Sequence, residues 1–328
     1  MFDINFFIDW IINDLEPKIR IGQIRGNYTD FVGNDVTALY GVSDMAIIFY
    51  TINSLFLNDH EKMLWVKLLK KFQNINTGYF SEYKQNHHIL HNTAFAISAL
   101  NLFGEKPKYS LKFITNFDSK KKLELFLNNF DWESEVYKNS HKAAGLASSV
   151  ALVPETINYE WFEWFFEICD KFFDQNHGMM GNNSSKEVNF DQIGGTFHYF
   201  FIYEYFRKKI KYSNQRIDSI LKIQNSNGSW SREPNIWWLN LDAVYMLTRS
   251  VKNTGYRIKD IKKALIKNME FVMNRINNEN LRVEDFEKCV HNLTGAINCL
   301  AELQLFLGRD LVYSKQPLLS VLDKRPFI

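Results

Sequence analysis

A glycine-centred polar turn recurs along this chain, each time at the end of an apolar stretch. Gln73…Gly78-Tyr79-Phe80, Gln175…Gly178-Met179-Met180 and Gln224…Gly228-Ser229-Trp230 share a glutamine, a short polar run, a glycine and a large apolar side chain two positions later. The three glutamines lie 102 and 49 positions apart, which is two units and one unit of about fifty residues. A repeat of this length is one supersecondary unit that cannot bury its own apolar face, so neighbouring units must cover one another. Within the turn, glutamine suits bonding to backbone groups at a helix end and glycine suits a positive-φ position. Trp230 is expected to pack on the adjacent hairpin. The motif therefore has a structural role.

A second series falls between the turns. Very apolar stretches open at Asp44, His91, His141, His198, Asp242 and His291, with gaps of 47, 50, 57, 44 and 49 positions. Six units follow, each with one aspartate or histidine expected at the head of an apolar helix. Other stretches are amphipathic: in "YEWFEWFFEICDKFFDQ" the acids Glu160, Glu163, Glu167, Asp170 and Asp174 form one stripe, with aromatics filling the rest. The chain has only 15 Gly and 6 Pro in 328 residues, and 46% of it is apolar. So few breakers in so apolar a chain favour packed helices over linkers or disorder. The expectation is an all-α protein of helical hairpins in series.

The Gln-x(2–4)-Gly-x-aromatic turn resembles the QW motif of the terpenoid-cyclase and protein-prenyltransferase superfamily, over Gln73 to Gly308. "QNSNGSW" is the best copy. The resemblance implies an (α/α)6 toroid, a barrel of about six helical hairpins, as a single domain over residues 1–328. Residues 1–30 would add an N-terminal helix packed on it and residues 310–328 a C-terminal tail. The superfamily's diagnostic acids are missing, because neither Asp-x-Asp-Asp nor Asp-Asp-x-x-Asp occurs. Its zinc-binding Asp-x-Cys is represented only by Asp242-Ala243-Val244, with valine in place of the thiol.

If the six apolar helices run in parallel around an axis, His91, His141, His198, Asp242 and His291, with Asp44, meet at one end of a cavity. Asp44 and Asp242 read equally well as helix N-caps; histidine is a poor cap. A histidine at a helix N-terminus stays neutral near pH 7 and can accept a proton, and a nearby aspartate fixes its tautomer. His91, His141, His198, Asp242 and His291 are thus the candidate catalytic residues. Asp44, His88, Trp132, Glu133, Tyr137, Arg232, Trp237 and Trp238, most of them in the loops leading into these helices, are candidates for binding a polar ligand with flat apolar faces, such as a sugar. Gly194-Gly195 suits either close approach to a ligand or a tight turn. No carboxylate pair among Glu133, Glu135, Asp191, Glu233 and Asp242 stands out as a glycosidase couple. No cofactor is expected, but His87 and His91 stand four apart and His88 and His91 three apart, a spacing that leaves a divalent metal as the alternative.

The reading that follows is an acid–base enzyme (lyase, isomerase or hydrolase) acting on a polar, sugar-like small molecule. The alternatives are an isoprenoid cyclase or transferase with a divergent acid, and a non-catalytic binding or scaffold module. With 39 Lys+Arg against 37 Asp+Glu the chain lacks a nucleic-acid footprint, and the lysines between Lys106 and Lys122 read as a solvated face. Three cysteines without Cys-x-x-Cys spacing suit a reduced, cytoplasmic setting. The opening "MFDINFFIDWIINDLEPKIR" carries acids where a signal peptide is basic, and no apolar run reaches the ~20 residues of a membrane span.

Overall fold

Helices carry the chain almost from end to end. The computed structural model describes residues 1–82, 87–157, 159–181, 187–232, 236–252 and 254–328. In chain order the helices are α1 (Asn5–Trp10), α2 (Glu16–Ile19), α3 (Leu39–Thr51), α4 (Asp59–Lys71), α5 (Ile89–Leu102), α6 (Lys120–Asn128) and α7 (Val136–Leu152). They continue with α8 (Glu160–Cys169), α9 (Phe190–Tyr205), α10 (Ser213–Lys222), α11 (Ile236–Lys252), α12 (Ile258–Asn277), α13 (Glu279–Arg282) and α14 (Val290–Leu307). Among the described residues the sheet structure is slight: Phe2–Asp3 pairs in parallel with Val312–Tyr313, and a few isolated bridges close turns. The protein is all-α. No described helix is long and apolar enough to cross a membrane.

Two kinds of helix alternate. Helices α3, α5, α7, α9, α11 and α14 are buried along nearly their whole length, whereas α4, α6, α8, α10 and α12 bury one face only. The apolar stretches are the fully buried helices, and the amphipathic ones lie between them in sequence, as the periodicity requires. The chain divides into two compact units. The first comprises residues 1–71, 224–249 and 257–321, and the second residues 72–223, 250–256 and 322–328. In the first, α14 packs on α3; in the second, α7 packs on both α5 and α9.

The repeated turns have a common construction, and it differs from the sequence alignment at one point. Gln73 donates from Nε2 to the carbonyls of Gly78 at 3.2 Å and Tyr109 at 2.7 Å, and its Oε1 accepts the Tyr109 N–H at 2.8 Å. Gln224 likewise donates to Gly228 and Ala264, at 2.8 and 2.9 Å. Gln175 does none of this and is exposed. The backbone bridge Gln73↔Phe80 corresponds to Phe173↔Met180, so Phe173 occupies the glutamine position of the second copy. Its missing amide is supplied from elsewhere: Arg216 of α10, fully buried, donates from Nε to the Gly178 carbonyl at 3.0 Å and lies over the Phe173 ring. Burial lowers the Arg216 pKa to about 9.

The glycines turn the chain at positive φ, +83° at Gly78, +72° at Gly178 and +92° at Gly228, where a side chain is strained. The large side chain that follows is fully buried, and its N–H is received by the next buried helix. Phe80 donates to Thr93 Oγ1 at 3.0 Å, Met180 to Thr196 Oγ1 at 2.9 Å and Trp230 to Asn240 Oδ1 at 3.0 Å. A further copy lies before Gln73: the bridge Arg20↔Tyr28 encloses Gly26, which packs against Trp65 of α4. Gln23-Ile24-Arg25-Gly26-Asn27-Tyr28 fits the same glutamine–glycine–aromatic pattern, but the bridge places Arg20, and not Gln23, at the position that Gln73 holds in its copy.

Candidate functional site

None of the six repeat-spaced polar residues caps its helix. His291 is the second residue of α14 and His91 the third of α5, while Asp44, His141, Asp242 and His198 lie well inside α3, α7, α11 and α9. The helices begin earlier because other residues start them. Asn189 and Gln192 form a reciprocal capping box for α9, so Asp191, Gly194 and Gly195 are helical and not part of a loop. His88 caps α5 by accepting the Leu90 N–H on Nδ1 at 3.2 Å. A histidine therefore does serve as a cap here. Burial, followed by the charge of Lys142, lowers its pKa, which keeps that nitrogen an acceptor.

In the second unit the structure gathers His87, His91, His141 and His198. Ring centroids are 4.7 Å apart for His87–His91, 4.8 Å for His91–His141, 4.7 Å for His141–His198 and 6.2 Å for His91–His198. Glycine makes this possible. A Cβ on Gly145 of α7 would fall 2.5 Å from the Leu90 carbonyl and 2.7 Å from the His91 nitrogen, so only glycine lets α7 lie so close to the first turn of α5. Gly195 does the same for α9 against Val136 and Tyr137 of α7. Tyr137 packs on both His141 and His198, at 4.6 and 5.7 Å. On the other side Phe327 packs on His91 at 4.9 Å.

The tautomer of His198 follows from its partners. Ser140 Oγ donates its one proton to the Tyr137 carbonyl at 2.5 Å, so at 2.9 Å it accepts from His198 Nδ1. The proton then sits on Nδ1, and Nε2 is the basic nitrogen. Burial holds the His198 pKa at about 3, with a hydrogen bond to Gly194 acting the other way. Neutrality here comes from desolvation, not from a helix N-terminus as expected from sequence.

In the first unit, His291 Nδ1 lies 2.9 Å from Asp44 Oδ1, which also accepts from Thr294 Oγ1 at 2.6 Å. Asp44 is fully buried on α3, and its Oδ2 has no hydrogen-bond partner among the described residues. Trp238 packs on His291 at 4.4 Å, and Tyr40 meets it edge-on at 4.8 Å. Gly295, one turn along α14, leaves room for the Trp238 indole, since a Cβ there would come within 3.2 Å of it. Asp242 follows Trp238 by one helical turn on α11. It is buried, its Oδ2 also has no partner among the described residues, and burial pushes its pKa well above the carboxylate range.

The other candidates separate cleanly. Trp237 is 1% exposed and packs against Phe286 at 5.1 Å. Trp132 stacks on Phe172 at 4.0 Å and bonds the Leu127 carbonyl. Both are buried among other side chains, and neither lies in an exposed loop as expected from sequence. Glu133 is exposed in a turn closed by Asp131, and Glu135 is exposed beside Lys138. Arg232 is exposed as well. Glu233 lies outside the described residues. Sequence reasoning missed Ser140, Thr294 and Tyr40; Thr294 stands three positions after His291, a spacing that shares one helix face. Burial raises the pKa of Cys169, Cys289 and Cys299, which disfavours the thiolate form. Comparison with protein-family models, with curated proteins and with solved structures yields no match to this chain.

Proposed function

We propose that this chain is an enzyme that moves protons on a polar, sugar-like small molecule, with Asp44 and His291 as its acid–base pair. The observation that carries this reading is the 2.9 Å contact between His291 Nδ1 and Asp44 Oδ1. A carboxylate in that position holds the proton on Nδ1, presents Nε2 as the base and stabilises the imidazolium that forms. Thr294 fixes the carboxylate rotamer through a second bond. A buried carboxyl oxygen without a partner costs about 1–3 kcal/mol. Two of these, Asp44 Oδ2 and Asp242 Oδ2, occur in one unit. A catalytic role is one recognised reason for such a group. Asp242, whose carboxyl burial shifts toward the protonated form, is suited to donate a proton, and Trp238 to offer a flat face to a sugar ring.

The architecture proposed with this function is the (α/α)6 toroid, supported by the alternation of buried and one-faced helices and by the recurring turn. The three unpaired cysteines support a reducing, cytoplasmic location. The test is a screen of uronate-containing oligosaccharides, aryl glycosides and free sugars, with products followed by NMR. The active compound is then assayed with His291→Gln and Asp44→Asn. Each variant is expected to lose at least 100-fold in kcat while retaining the parent's far-UV circular dichroism. Unchanged turnover by folded His291→Gln rules the pair out.

A further inference from the structure

We propose that His87, His91 and His141 form a binding site for one late divalent transition-metal ion of the Zn2+ class. The three side chains can each present a ligand nitrogen, and these nitrogens all lie within 4.8 Å of one another. A tetrahedral zinc with Zn–N bonds of about 2.0–2.1 Å places its nitrogens ~3.3 Å apart. Rotation of the three side chains is the motion that would bring the nitrogens to this spacing.

The local structure is organised to hold the three together. His87 precedes α5 and stacks on His91 four positions later, at 25° between ring planes. His88, between them in sequence, is turned away to cap the helix. Gly145 brings α7 close enough to deliver the third imidazole, and Lys142 beside it is directed to Asn139 Oδ1 at 3.0 Å. His91 and His141 are buried, at 4% and 9% exposure. A neutral imidazole offers one lone pair to a metal, and three converging rings can share one cation.

All-imidazole donors select zinc and its neighbours over magnesium or calcium, which require oxygen. Three protein ligands leave the fourth tetrahedral position for water or a ligand, the pattern of catalytic and not structural zinc sites. The aromatic wall of Tyr137 and Phe327 limits what reaches it. This site is independent of the Asp44–His291 pair, because metal content can be measured without a substrate.

The experiment uses the full chain, stripped with a chelator and titrated with Co2+ as a spectroscopic probe and with Zn2+ by calorimetry. The expected result is one Co2+ per chain with visible d–d absorption of tetrahedral intensity, displaced by Zn2+. His87→Gln and His141→Gln should each weaken Zn2+ binding at least 100-fold, whereas His88→Gln changes it less than threefold. His87 is half-buried and outside the helix, so its variant separates loss of a ligand from loss of the fold, with circular dichroism as the check. Absence of stoichiometric binding to the parent chain, or binding that survives His87→Gln unchanged, overturns the site.

Discussion

Gln73 and Gln175 look equivalent in the sequence and are not equivalent in the structure, which makes the pair a direct test of how the repeat is held together. In Gln73→Leu three hydrogen bonds disappear, those to the Gly78 and Tyr109 carbonyls and from the Tyr109 N–H. Each contributes about 1 kcal/mol net, and leucine of similar volume keeps water from replacing them, so the expected cost is roughly 3 kcal/mol. Gln175 is exposed, and Gln175→Leu should stay within ~0.5 kcal/mol. Because the chain has two compact units, a global melting point is not the cleanest readout. Hydrogen exchange followed by mass spectrometry, on peptides covering residues 72–81 and 109–117, reports the local opening directly. About 3 kcal/mol corresponds to roughly 100-fold faster exchange. If Gln73→Leu accelerates exchange less than threefold, or Gln175→Leu has an equal effect on its own turn, the assignment of Phe173 and Arg216 to the second copy is wrong.

Two further outcomes follow from the packing and from the buried acid. Gly145→Ala places a methyl group against the Leu90 carbonyl and the His91 nitrogen, backbone atoms that cannot rotate away; the expected loss is about 1–3 kcal/mol, read as a lower Tm, and an unshifted Tm would show that α5 and α7 are not so closely apposed. For Asp242, burial raises the folded-state pKa, so the folded chain keeps a proton that the unfolded chain loses near pH 4. That contribution is fully present below about pH 4 and is lost as pH rises toward the raised folded value. Asp242→Asn removes this dependence and should gain stability relative to the parent progressively above about pH 4; a constant difference between pH 4 and pH 8 in denaturant titrations contradicts a protonated Asp242.

Sequence alone determined the helical class, because few breakers and a 3.6-residue apolar period leave no other way to bury so many aromatic side chains. It also determined that Gly78 and Gly228 turn the chain, since glycine is required wherever φ must be positive. Among site residues, the recurrence near fifty positions singled out Asp44, His91, His141, His198, Asp242 and His291, yet it could not place them on their helices. Periodicity marks the apolar face but not the cap, and the caps belong to neighbours such as His88 and Asn189. Tertiary structure decided the rest. Thr294 and Ser140 joined the sites only when α14 met α3 and α9 met α7, and Arg216 took over a glutamine's bond from another helix. Trp132 and Trp237 went to the core for the same reason. Hydrogen bonding and burial depend on which side chains arrive from distant parts of the chain, and that information is absent from any local stretch of residues.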